Sequence, residues 1–225
     1  MQNNSTATYM GLSGPWRAIL ISLFSLLTIA TIMGNLLVLV AVVRFHHRMH
    51  AVMSIFISSL ASADLLIGTV EMPLTAMQII EGSWPLNRQA CNFRFAIDVT
   101  SITASINSLA VIAIDRYLAV TRPLQYPSLV TKRRASYAVI AVWMLSVGQS
   151  FLPINLGWYR SKTPNALACY NNPRCCSLMA NKEYIMFAGS LTFYVPATIM
   201  IIVYSRVLKE ANLQVSTMLS FAVSK

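Results

Sequence analysis

Residues 18–43 contain no Asp, Glu, Lys or Arg, and about 20 consecutive apolar residues in helical form are enough to cross a bilayer. Four further apolar blocks follow at 51–80, 93–120, 136–156 and 184–208, separated by short polar or Pro-containing segments. A soluble core accommodates one such block, but five leave too little polar chain to cover them. Composition agrees: 56% of the residues are hydrophobic and 11% charged, whereas soluble chains are roughly a quarter charged. The first block is too long for a secretory signal and lacks a basic start and a small-residue cleavage site. The expected fold is therefore an all-α membrane protein with five helical spans. A tail at 1–17 carries two overlapping glycosylation sequons, at Asn3 and Asn4.

Loop charges and cysteines orient the spans. Arg44, Arg48, Arg122, Lys132, Arg133 and Arg134 follow spans one and three, which places those loops in the cytoplasm. Arg88, Arg160, Lys162, Arg174 and Lys182 fall on the opposite side, so the bias is moderate. All four cysteines, Cys91, Cys169, Cys175 and Cys176, share that opposite side, where an oxidising environment allows disulfides. No His lies near them, and the adjacent Cys175 and Cys176 suit two bridges better than one tetrahedral metal site. The tail at 1–17 is then extracellular and the chain a multi-pass membrane protein.

A net charge of +10 invites a nucleic-acid reading, but the basic residues sit in short loops beside the spans rather than on one face of a soluble domain. Anionic lipid headgroups account for them. The sequence has no internal repeat, phosphate loop, zinc signature or nucleophile elbow, so it offers enzyme chemistry no foothold. A transporter would call for paired repeats and spans broken at the midplane, and neither is present.

Ionisable residues inside the spans carry the functional signal, because a charge in hydrocarbon costs several kcal/mol, of the order of 3, and is retained for a reason. Asp64, Glu71 and Asp98 qualify, with Asp115 and Arg116 at the inner end of span three. Asp98 lies seven residues past Cys91, roughly 10 Å below the outer surface. A carboxylate at that depth suits a protonated amine. Two other arrangements stay open: Arg94, one turn earlier on the same helix face, can satisfy Asp98, or it can pair with Glu71 across the helix interface and leave Asp98 free.

Asp115-Arg116-Tyr117 makes the pattern specific. Together with Gly34-Asn35, the run Leu60-Ala61-Ser62-Ala63-Asp64-Leu65-Leu66, Trp143, and Pro196 with Tyr204, it resembles the rhodopsin-type G protein-coupled receptors over nearly the whole chain. The run from Asp98 to Ile106 resembles the amine-receptor branch. Asp115 to Thr121, Ser128 to Lys132, Phe193-Tyr194-Val195-Pro196 and Val203 to Val207 are similar to beta-adrenergic receptors. Trp84-Pro85-Leu86 and Asn172-Pro173-Arg174-Cys175-Cys176 look most like the beta-3 subtype.

The resemblance implies bridges Cys91 to Cys176 and Cys169 to Cys175. It also implies a ligand pocket of Asp98, Val99, Ile102, Thr103, Leu178, Tyr184 and Thr192, taking a small biogenic amine. On the inner side it assigns Arg116 to a stimulatory G protein acting on adenylate cyclase. Asp115 is assigned to restraining Arg116, and Tyr117, Pro123, Leu124 and Tyr204 to coupling. Asp64 and Ser105 match two members of a sodium site, with sodium as an allosteric ligand and no other cofactor.

The sequence also departs from that pattern. Where beta-adrenergic receptors place serines for catechol hydroxyls, span five reads Ala188, Gly189 and Thr192. Arg94 stands where the family usually has Trp, and a cation so near Asp98 opposes amine binding unless Glu71 neutralises it. After span five the chain ends at Lys225. The domain reading is accordingly a five-span portion of a seven-helix bundle at 18–210, followed at 211–225 by the start of a third cytoplasmic loop or a truncated tail. The alternative to a signalling receptor is a non-signalling five-span product that associates with full-length receptors.

Overall fold

The computed structural model describes residues 14–45 and 50–223. Asn3, Asn4 and Arg48 lie outside the described residues, as do the side chains of residues 14, 214 and 217–223. Among the described residues, five helices are long and apolar enough to cross a membrane, as the five charge-poor blocks predict. They are Gly14–Arg44, Ala51–Glu81, Arg88–Thr121, Lys132–Leu156 and a fifth that starts at Lys182 and continues through Val195–Val223. Two short helices, Tyr126–Leu129 and Pro164–Asn171, lie between spans three and four and between spans four and five.

Local chemistry sets the helix ends. Asn87, Thr131 and Asn181 each accept a backbone N–H from the first turn of spans three, four and five, satisfying donors that have no intrahelical partner. Spans two and four end on Gly82 and Gly157 in the left-handed region, with φ of 66° and 73°, where a side chain would be strained. The fifth helix runs well past 208 and occupies most of 211–225, because no Gly or Pro follows Pro196 to stop it.

Spans two and five each contain one π-helical turn, Ile67–Glu71 and Ser190–Tyr194. Each ends two residues before a proline, Pro73 or Pro196. A proline inside a helix removes one N–H and its ring clashes with the carbonyl four residues back. Widening the preceding turn relieves that clash. Pro153 near the end of span four has no such turn; its helix continues to Leu156 and stops at Gly157.

The third span is the hub, packed against the second, fourth and fifth. Its buried face is built of small residues, among them Ala96, Ser101, Ala104 and Ala113, which let helix backbones approach in the absence of a water-driven apolar force. Polar ties cross these contacts. Ser150 donates to the Ala96 carbonyl at 2.6 Å, and Trp143 donates to Ser59, which shares a hydrogen bond with Ser108. Span one meets span two at Gly68, where an added Cβ would lie 3.0 Å from Ile32. The outward faces of spans one and five expose large apolar side chains such as Leu37 and Ile201.

Candidate functional site

The end of the bundle that the loop charges and cysteines assign to the outside is closed by a loop that the two disulfides shape. Cys91 at the top of span three is bonded to Cys176, and Cys169 to Cys175, the pairing that the resemblance implies. Trp84, Cys91, Phe95, Ile154, Tyr159 and Cys176 form one buried cluster, with Leu178 and Tyr184 packed against it. Arg88 pins the loop from span three, donating to the carbonyls of Cys169, Tyr170, Asn172 and Cys175 at 3.0 Å each. The cation thus sits at the C-terminal end of Pro164–Asn171, where carbonyls point outward without helical partners. Tyr170 donates to the Met179 carbonyl, and burial raises its pKa above the ordinary 10.0.

Below this lid the structure resolves the question of Arg94. Its guanidinium is buried and grips Glu71 with Nε at 3.1 and 3.0 Å and Nη2 at 2.7 Å. Nη1 reaches Gln78 at 2.5 Å and Nη2 reaches Thr75 at 2.9 Å. Trp84 and Phe95 present their rings to the cation at 5.7 and 5.2 Å, a favourable cation–π placement. Asp98, one turn further in, makes no hydrogen bond or ion pair with any described residue, and Glu71 and Arg94 are the charges that act on it through space. The carboxylate at pocket depth is thus left without a direct partner.

The other expected pocket residues divide. Thr103 is fully buried and lies 3.3 Å from Thr192, hydroxyl to hydroxyl. Gln149 of span four also donates to Thr192, so this one hydroxyl ties three spans together. Tyr184 stacks edge-on to Tyr159 at 6.2 Å, and its buried hydroxyl has no hydrogen-bond partner. Val99 is half-buried and Ile102 is 40% exposed. The sequence reading missed Gln149, Gln78 and Thr75. All three are polar side chains inside apolar blocks, a signal that a search confined to ionisable groups passes over.

At the inner end, Arg116 donates to Asp115 Oδ2 through Nε at 2.9 Å and Nη2 at 2.5 Å. Tyr126 of the following short helix donates to Asp115 Oδ1 at 2.7 Å. Leu124 is 96% exposed; Pro123 beside it is exposed, as is Tyr204, while Tyr117 is half-buried. In the middle of the bundle Ser105 donates to Asp64 at 3.1 Å. Two hard oxygen donors in contact suit an alkali cation, although the described residues hold no group of three or more His, Cys, Asp or Glu that would form a complete site.

Comparison with known proteins agrees with the five-span helical architecture. Residues 34–222 match the 7 transmembrane receptor (rhodopsin family). The chain is similar to the D(1B) dopamine receptor of Xenopus laevis, 38% identical over 86% of this chain and 42% of the relative. It is similar to the octopamine receptor beta-1R of Drosophila melanogaster, 37% identical over 83% of this chain and 36% of the relative. It is also similar to the histamine H2 receptor of Rattus norvegicus, 38% identical over 84% of this chain and 51% of the relative. The chain spans about half or less of the length of these curated relatives.

Proposed function

Because the chain belongs to the rhodopsin family of 7 transmembrane receptors, we propose that it forms the amine-binding and G protein-contacting part of such a receptor, with Asp98 taking the ammonium group of a small biogenic amine. The observation that carries this reading is the unpartnered Asp98 carboxylate beneath an Arg94 already committed to span two. Relatives named for dopamine, octopamine and histamine are receptors for three ligands that each carry one aliphatic amine. An ammonium about 4 Å from a carboxylate gains roughly 4 kcal/mol at an effective dielectric near 20, before desolvation costs.

The resemblance to beta-adrenergic receptors supplies the finer part of the proposal: coupling to a stimulatory G protein and adenylate cyclase, with the chain in the plasma membrane and its N-terminal end outside. Asp115 and Arg116 in direct contact, and Leu124 standing out from the loop after span three, support a G protein contact there. Tyr117, Pro123 and Tyr204 complete that surface. Val99, Ile102, Thr103, Leu178 and Tyr184 line the amine pocket, and Asp64 with Ser105 contribute to a sodium site. At the three positions where beta-adrenergic receptors place serines, span five keeps one hydroxyl, Thr192, already engaged by Gln149 and Thr103. The ligand therefore depends on its ammonium more than on ring hydroxyls.

Binding of tritiated dopamine, octopamine and histamine to membranes expressing the chain, and to membranes expressing its Asp98→Ala variant, tests the reading. Saturable binding that disappears in the variant is the expected result. Binding that survives the loss of the carboxylate would remove Asp98 from the site.

A further inference from the structure

Asp98 and Arg94 are four residues apart on one helix, the spacing at which opposite charges on a helix surface meet. In this structure they do not meet, because Arg94 is turned onto span two. Glu71 and Arg94 are both largely buried, with side-chain exposures of 13% and 9%. Thr75 reinforces the pair by donating to Glu71 Oε1 at 2.7 Å while accepting from Arg94. Glu71 closes the π turn Ile67–Glu71. The wide turn sets which way that carboxylate faces, since one residue more or less in a helix swings every later side chain by about 100°.

We propose that Glu71 is a positioning residue for the amine site: by holding Arg94 against span two it keeps Asp98 uncompensated, so that the subsite carries one net negative charge and selects a ligand with a single ammonium group. This rests on the amine-binding role of Asp98 proposed above. Without the Glu71 carboxylate, Arg94 keeps only the neutral acceptors Gln78 and Thr75. The remaining carboxylate within a turn is Asp98, and a buried cation left without a counter-charge moves to the nearest one. Arg94 then occupies the place of the ligand ammonium.

Two measurements test this. In the first, tritiated dopamine, octopamine and histamine are bound to membranes expressing the chain. Glu71→Gln is expected to lower affinity for whichever amine binds by roughly 10- to 100-fold, the usual size of coupling between neighbouring sites. Adding Arg94→Gln is expected to restore it to within about threefold. Glu71→Asp, which keeps the charge, is expected to stay within about threefold of the original chain. A loss in Glu71→Gln that Arg94→Gln does not relieve, or an equal loss in Glu71→Asp, overturns the proposal.

The second measurement needs no ligand. Melting temperatures in detergent are compared for Arg94→Gln, Asp98→Asn and the double variant, first with Glu71 present and then with Glu71→Gln. The two effects are expected to be coupled more strongly when Glu71 is replaced than when it is present. Coupling of equal size in both backgrounds, or in neither, overturns the proposal. If the original chain binds none of the three amines, the amine role of Asp98 fails, and the melting cycle still decides whether Glu71 keeps Arg94 off Asp98.

Discussion

Tyr126 donates its hydroxyl to Asp115 Oδ1 at 2.7 Å while Arg116 occupies Oδ2, so the buried carboxylate at the inner end of span three is satisfied from both sides. Burial, and then the hydrogen bond to Asp115, push the phenol up from 10.0 to about 12. The bond needs the protonated phenol. Its contribution is therefore present in full below pH 10, the unfolded value, and is lost as pH rises through the folded value near 12. Tyr126→Phe is expected to lower stability by about 1 to 2 kcal/mol at neutral pH, the range for a hydrogen bond to a charged group. Melting of the two proteins in detergent checks this: the gap should hold up to pH 10 and narrow above it. Equal melting at pH 7 would show that the bond contributes nothing.

Among the described residues, Arg88 is the one side chain that reaches four carbonyls of the outer loop. Arg88→Ala leaves those oxygens to solvent and is expected to cost about 1.5 to 3 kcal/mol. Faster amide hydrogen exchange should appear at Asn172 and Cys175, whose N–H groups hold the turns of the loop, with both disulfides intact. Unchanged exchange would mean that the bridges alone hold this segment.

Thr192 receives Gln149 and faces Thr103. Thr192→Val removes the hydroxyl at nearly constant volume and leaves the half-buried Gln149 amide short of an acceptor, a loss of about 1 kcal/mol. Thr192→Ser keeps the hydroxyl and should melt close to the original chain. If the Val and Ser variants melt alike, the tie among spans three, four and five is not a stabilising one.

At Gly68 span two packs directly against span one. A Cβ there meets Ile32 at 3.0 Å and Thr31 at 3.2 Å, both β-branched and stiff. Gly68→Val is expected to destabilise by about 1 to 3 kcal/mol, as overpacking does. Ile32→Ala combined with it should recover part of that loss. Absence of any recovery would place the strain in the contact with Thr31 or in the π turn rather than in the contact with Ile32.

The five helical spans were legible because long charge-free blocks have few other uses, and the family was legible in Asp115-Arg116-Tyr117 and its companions. The disulfide pairing came from the resemblance, since spacing alone allowed other pairings. Both possible partners of Arg94 were visible in the sequence. The choice between them depends on how the π turn aims Glu71, and periodicity assumes a uniform 3.6 residues per turn. The long fifth helix was hidden because the charged pair Lys209 and Glu210 reads as a membrane edge, whereas a helix stops only where its backbone is interrupted. Tyr126 escaped notice because it sits in the short helix after span three, 11 residues from Asp115, and reaches it only after the chain has turned.

The two π turns ahead of Pro73 and Pro196 make the outer halves of spans two and five sensitive to length as well as to chemistry. Each wide turn acts as one residue inserted into an otherwise ordinary helix. Deleting one residue from 190–194 would restore regular hydrogen bonding, yet it would turn Lys182–Gly189 by about 100° relative to the part of the span beyond the proline. Tyr184 would then leave the cluster under the outer loop, although every side chain outside the deletion remained the same. A gap of a single residue in an aligned sequence at either place is thus a change in what the pocket presents, comparable in effect to replacing several of its lining residues at once.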